Sequence, residues 1–204
     1  YSITQCNFLM ANTKQLVLAS SSIYRRQLLE RLGLPFTIAS PDVDETPLEH
    51  ELPETMTRRL AQLKASALSK QFPEAWIIGS DQSADLHGQI IGKPGNHERA
   101  LAQLKQMQGQ TVVFHTALCL LKGKEYKTLS VPTRVRFRNL PDESLENYLR
   151  IEKPYDCAGS AKSEGMGIIL LEQIESDDPT ALIGLPLIAL SGLLREAGFV
   201  IPHV

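Results

Sequence analysis

Cysteine is scarce in this chain and forms no pattern. Cys6, Cys119 and Cys157 are odd in number, far apart and include no C-x-x-C pair, which excludes a disulfide framework and a structural zinc site. Long apolar runs are missing as well: all are short and the longest sit between charged residues, far from the roughly 20 residues a membrane-spanning helix needs. Tyr1 to Thr13 lacks the basic and then apolar segments of a signal peptide. Neither sign of charge prevails, since 23 acidic residues against 21 basic ones give a net charge of -2. No bulk field therefore draws the chain to nucleic acid or an anionic membrane, and any anion site must be local. The G-x-x-x-x-G-K-S/T pattern is absent, which excludes a P-loop. The five histidines show no H-x-x-x-H spacing, so neither a histidine metal site nor a Ser-His-Asp triad follows from spacing. The expectation is a soluble protein of a reducing, cytoplasmic compartment whose partner is a small molecule, with no nucleic acid and no membrane involved.

What is present is enough for a core. With 204 residues, 43% of them apolar, the chain suits one domain, or a two-lobed domain with a cleft between the lobes. Met10 is a candidate start, which makes residues 1–13 an N-terminal extension or vector remnant and residues 14–204 a single domain. Leu16 to Ala19 reads as a short buried strand, Ser20-Ser21-Ser22 offers hydroxyls for a helix cap, and Leu28, Leu29 and Leu32 repeat at helical spacing as far as Gly33. A polar loop holding Asp42-Val-Asp-Glu45 precedes a second helix marked by Met56, Leu60, Leu63 and Ala67. Trp76 to Gly79 is strand-like and Ser80-Asp81-Gln82 is expected to close it, with a hairpin following through His87-Gly88. Asn96 caps a third helix, Thr111 to Leu121 is the most strand-like run, and Val131, Thr133, Val135 and Phe137 alternate with Arg134, Arg136 and Arg138. Pro132 places that strand at an edge or a bulge. A short helix from Pro141, a glycine-rich loop from Gly159 to Gly167, a strand from Ile168 to Ile174 and a helix led by Pro186 complete the chain. Alternating strands and helices interrupted by hairpins predict an α/β fold, a mixed, twisted sheet flanked by helices.

Several residues carry chemistry. The strand, serine turn and helix at the N-terminus place free N–H groups, hydroxyls and Arg25 or Arg26 at the positive end of a helix dipole, a setting for phosphate; an ordinary capped surface helix has the same pattern. Lys64 shares the inward stripe of Leu60 and Ala67, where a cation wants an anion unless it snorkels to water. Asp81 follows an apolar strand, and Asp44 and Glu45 sit in a loop able to fold over it, a carboxylate set suited to a divalent ion; Asp81 capping the next turn is the plainer reading. Lys93, before Pro94, returns along the hairpin toward Asp81. The arginines at 134, 136 and 138 make a basic stripe, but aromatics that would stack bases do not interleave with them.

Taken together, Leu18-Ala-Ser-Ser-Ser-Ile-Tyr-Arg-Arg26, Val43-Asp-Glu45, Lys64-Ala65, Ile78-Gly-Ser-Asp-Gln82, Gly92-Lys-Pro94 and Gly184-Leu-Pro186 resemble the Maf family of nucleotide pyrophosphatases. Each motif is weak, and six in order with compatible gaps are specific. One position departs: Ile23 stands where the family usually has proline. The resemblance implies a deep cleft, a homodimer, dependence on Mg²⁺ or Mn²⁺, and release of pyrophosphate from a nucleoside triphosphate by metal-assisted attack of water. It implies Asp81 as general base, Ser20, Arg25, Lys64 and Lys93 as phosphate-binding residues, and Glu45 with Asp81 as metal ligands. It further implies that Tyr24, Gln82 and Glu164 read the base, in the combination of the branch that acts on 7-methyl-GTP, although that branch often has tryptophan at the position of Tyr24. An aromatic face and a carboxylate both suit a cationic methylated guanine. The alternatives are a dTTP, UTP or CTP pyrophosphatase of the same family, a nucleotide-sensing regulator of cell division that does not cleave, and a nucleic-acid binder using the arginine stripe.

Overall fold

The computed structural model describes residues 14–202. The reading of residues 1–13, with Cys6 and Met10 among them, lies outside the described residues, as does His203.

The chain opens with the buried strand Leu16–Ala19 (β1) and the helix Ile23–Glu30 (α1), whose first free N–H groups are met by Ser22: its Oγ accepts from the Arg25 amide at 3.4 Å. Ile23 takes the first helical position, where the usual proline is equally at home, so here the turn before Arg25 is set by the cap. Next come Thr37–Ala39 (β2), Pro53–Ala67 (α2), Trp76–Leu86 (β3) and Gln89–Ile91 (β4). The β3–β4 hairpin turns at His87 and Gly88, both at positive φ. Asn96 caps His97–Met107 (α3), and Thr111–Lys122 (β5) pairs along its length with Glu125–Phe137 (β6). Asp142–Glu152 (α4), Leu171–Ser176 (β7) and Leu187–Glu196 (α5) follow.

Seven strands form one sheet in the order β2-β1-β3-β5-β6-β7, with β4 paired to β3. β2, β1 and β3 run parallel and the remaining pairings are antiparallel, so the architecture is the mixed α/β sheet flanked by helices that the sequence pattern predicts. Cores lie on both faces. Leu18, Ile78 and Leu118 pack with Leu28 of α1 and Leu190 and Leu194 of α5, Ala19, Ile77 and Cys119 pack against Ala61 and Ala65 of α2, and Phe114 and Val135 pack with α3 and α4.

β3 is where the two lobes part. On one edge it carries β5 from Ile77 to Asp85. On the other, β1 pairs with Trp76–Gly79 and β4 with Ala84–Leu86, leaving Ser80 to Ser83 without a strand partner on that side. The cleft opens at this gap.

Two expectations need correction, and the expected edge position of Pro132 is made specific. Asp81 does not close a strand: β3 continues to Leu86, and Asp81 sits in its middle, paired with Ala117. The strand between Ile168 and Ile174 begins only at Leu171, because Gly167 folds back so closely on Lys162 that a Cβ there would lie 2.5 Å from the Lys162 carbonyl, and Met166–Leu170 is a tight 3-10 turn. Pro132 is internal to β6, yet it stands next to the residue at which β7 stops pairing, so its missing N–H faces an edge.

Candidate active site

The floor of the cleft is built by a close approach. Gly79 lies against α2 so tightly that a Cβ on it would fall 2.0 Å from the carbonyl oxygen of Ala61 and 2.9 Å from the amide of Ala65. Lys64 projects from that stretch of helix, and Asp81 lies two residues beyond Gly79 on the same face of β3. The result is an ion pair of 2.6 Å between Lys64 Nζ and Asp81 Oδ1, with side chains only 7% and 8% exposed. The inward lysine of the sequence pattern has found its anion.

Glu45 completes the set from the loop above, its Oε2 at 3.0 Å from the same Nζ and its side chain 54% exposed. Its neighbour Asp44 turns away; the Thr46 hydroxyl first and then the Thr46 amide, at 2.9 Å, hold its carboxyl below the usual range. The loop is tied to α2 by Arg59, which donates to both oxygens of Glu51 and to the Thr46 carbonyl.

A cleft of about 370 Å³ lies over this floor; at one end Arg25, Glu45 and Lys64 gather at Asp81, at the other Tyr24, Asp156, Cys157 and Glu164 cluster, and Ser20, Gln82 and Lys93 also line it. Asp81 lies beneath, reached through Lys64. Ser20 is buried at the mouth of the serine turn, and its Oγ accepts from the Ser22 amide at 3.1 Å. Arg25 donates from Nε to the carbonyl of Gly184 at 2.9 Å. Desolvation lowers its pKa from the ordinary arginine value, and Asp81 and Glu45 pull it back up. One end of the cleft therefore gathers cations and hydroxyls around a carboxylate pair, the chemistry of a polyanion site.

The other end is aromatic and acidic. Burial, with help from Cys157 and Asp156, pushes the Tyr24 hydroxyl up to about 12. The Cys157 thiol is likewise pushed up to about 12, by burial first and then by Asp156 and Glu164, so it is a neutral thiol at physiological pH and no thiolate nucleophile. Glu164 is raised above the ordinary carboxylate value, by desolvation first and then by Glu152 and Asp156. A cation already lies over Tyr24: Lys162 Nζ is 5.8 Å from its ring centroid and is neutralised by Glu152 at 2.6 Å. Gln82 is engaged on its nitrogen side, where Nε2 lies 2.9–3.0 Å from the carbonyls of Ala181 and Leu182 and from Thr116 Oγ1.

Sequence reasoning missed Asp178 and Thr180, whose bonds shape the segment behind Gln82; the only signal was the Asp-Pro-Thr turn before Gly184-Leu-Pro186. The arginine stripe takes no part in the cleft: Arg136 pairs with Glu172 at 3.3 Å and Arg138 Nε donates to the Leu171 carbonyl. Among the described residues no group of three or more His, Cys, Asp or Glu side chains forms a metal cage, and no helix is long and apolar enough to cross a membrane.

A family profile described as Maf-like protein matches residues 15–197. The chain is 59% identical over 198 residues, 96% of its length and 90% of the relative's, to a protein of Polaromonas sp. (strain JS666) named 7-methyl-GTP pyrophosphatase. Proteins of the same name from Cupriavidus metallidurans and Aromatoleum aromaticum are 59% and 54% identical, with 90% and 92% of this chain and 94% and 98% of theirs covered. Among solved structures the Staphylococcus aureus Ham1 protein is similar over 61% of this chain and 72% of its own, at a TM-score of 0.45 and 16% identity.

Proposed function

Because the chain belongs to the Maf-like protein family, we propose that it hydrolyses a nucleoside triphosphate, 7-methyl-GTP by preference, to the monophosphate and pyrophosphate. The observation that carries this reading is the buried Lys64 bridging Asp81 and Glu45 at the cationic end of the cleft.

Arg25, Lys93 and Ser20 bind and orient the phosphate chain, their charges and hydroxyl offsetting the oxygens that repel a nucleophile. Asp81 accepts the proton of a water that attacks the α-phosphoryl group, while Lys64 fixes its carboxylate through Oδ1 and leaves Oδ2 turned to no donor among the described residues. Asp81 and Glu45 also suit a divalent cation, Mg²⁺ or Mn²⁺. Their carboxylates converge on one point, Glu45 Oε1 and Asp81 Oδ2 accept no bond among the described residues, and such ions are commonly held by one or two carboxylates together with substrate phosphates. When bound, the cation supplies further neutralisation of the phosphate charge.

At the other end the Tyr24 ring and the carboxylates of Glu164 and Asp156 suit a base that carries positive charge. Glu164 is an acceptor for the N1 and N2 hydrogens of guanine. Replacing it with glutamine is expected to reduce the preference for 7-methyl-GTP over GTP, read as the ratio of kcat/KM values, by about tenfold, because only the methylated base carries the positive charge that the carboxylate attracts, while the N1 and N2 hydrogens are common to both. An unchanged ratio removes Glu164 from discrimination of the methylated base.

The same carboxylate gives a pH test. Protonation removes the charge that attracts the base, and the pKa of Glu164 is raised, so the wild-type preference should decline on acidification at a pH above the ordinary carboxylate range. The Glu164→Gln protein should show no such decline. A preference flat with pH in both proteins contradicts the assignment.

A further inference from the structure

Behind the cleft, the segment from Asp178 to Gly184 runs between β7 and α5 and supplies Leu182, Ile183 and Gly184 to its wall. It is pinned from below by β3 and β5: Gln82 Nε2 bonds the Ala181 and Leu182 carbonyls, and Thr116 donates to Ala181 at 2.8 Å. It is pinned from within by Asp178, which is 2% exposed. One carboxylate oxygen accepts from the amide and hydroxyl of Thr180, at 3.0 and 2.7 Å, and the other from the amides of Ile188 and Ala189 at the start of α5. Thr180 Oγ1 in turn lies 2.8 Å from the Leu185 carbonyl and accepts from the Leu187 amide at 2.8 Å.

All of this converges on Gly184. Its amide bonds the Thr180 and Ala181 carbonyls, its φ of +125° is one that side chains rarely adopt, and its carbonyl lies 2.9 Å from Arg25 Nε and 3.0 Å from Ser80 Oγ. Arg25 makes no other side-chain bond among the described residues, so its terminal N–H groups are uncommitted. We propose that Thr180 and Asp178, neither of which lines the cleft, are positioning residues for Arg25: they fix the Gly184 carbonyl on which the guanidinium is anchored and so aim its free N–H groups at the phosphate chain. This rests on the reading of the cleft as a triphosphate site.

Thr180→Val keeps the shape and removes the hydroxyl, whereas Thr180→Ser keeps the hydroxyl. The probe is inorganic tripolyphosphate, measured by calorimetry on the purified chain, alongside KM and kcat for 7-methyl-GTP. The valine variant should bind tripolyphosphate about tenfold more weakly and show a KM raised in proportion, with kcat changed less, as expected for a displaced charged donor. The serine variant should recover wild-type binding to within about twofold. Should the valine protein fail to fold, Ser80→Ala, which removes a hydroxyl 3.0 Å from the Gly184 carbonyl and 2.8 Å from that of Ala117, should weaken tripolyphosphate binding in the same direction. A folded valine variant that binds as tightly as wild type overturns the inference, and so does equal impairment of the valine and serine variants, which would assign the effect to packing. A wild-type protein that binds no tripolyphosphate overturns the triphosphate reading itself and this inference with it.

Discussion

Asp81→Asn is expected to lower kcat for pyrophosphate release by about 10²- to 10⁴-fold, the usual worth of a general base, while the protein still folds, with a lowered melting temperature, because Glu45 remains as the counter-charge to Lys64. Asparagine retains an oxygen where Oδ1 accepts from Lys64 at 2.6 Å, so the change strikes the proton acceptor and spares most of the packing. Substrate affinity should fall less than kcat, because Arg25, Lys93 and Ser20 still grip the phosphates and Glu45 remains for the cation. The measurement is steady-state release of pyrophosphate from 7-methyl-GTP with the melting temperature recorded in parallel. Turnover within a few-fold of wild type in a folded variant removes Asp81 from the chemistry.

The second large effect is on stability. Gly79→Ala places a methyl group 2.0 Å from the Ala61 carbonyl oxygen and 2.9 Å from the Ala65 amide. Both are backbone atoms of α2, so no rotamer change relieves the clash and the helix must move off β3. Overpacking of a core costs about 1–3 kcal/mol and occasionally more; with backbone on one side, about 3 kcal/mol is expected, a drop in Tm of about 6–12 °C for a chain of this size. Activity should fall as well, since Lys64 moves with α2 and loses its register on Asp81. A variant with wild-type Tm would show that the contact between α2 and β3 yields easily and does not hold the ion pair.

Much of this was legible in the sequence because local rules and burial agree. The strand, the serine cap and the helix at residues 16–30 carry their own signals, as do the Asn96 cap and the His87-Gly88 turn. Lys64 was readable as an inward cation because it lies four residues after Leu60 on the helical stripe, and a buried charge needs a partner. Asp81 was misplaced within its strand for a physical reason. From Ser80 to Gln82 the strand faces polar partners on both sides, Lys64 on one and the Ala181–Gly184 segment on the other, so the apolar alternation that marks a strand disappears where the site begins. Asp178 and Thr180 left almost no trace, because their partners are backbone amides and carbonyls, and main-chain groups look the same in every sequence. The Met166–Leu170 turn was hidden behind apolar residues whose run fits a strand; only the approach of Gly167 to Lys162 forbids it.

Hydrolysis of 7-methyl-GTP in water enriched in oxygen-18, with the products separated and weighed by mass spectrometry, locates the phosphorus that is attacked. Attack at the α-phosphoryl group by a water deprotonated at Asp81 puts the label in 7-methyl-GMP and leaves the pyrophosphate unlabelled. Label in the pyrophosphate, or no pyrophosphate formed at all with Mg²⁺ or Mn²⁺ supplied, would contradict the roles given to Asp81, Lys64 and Glu45.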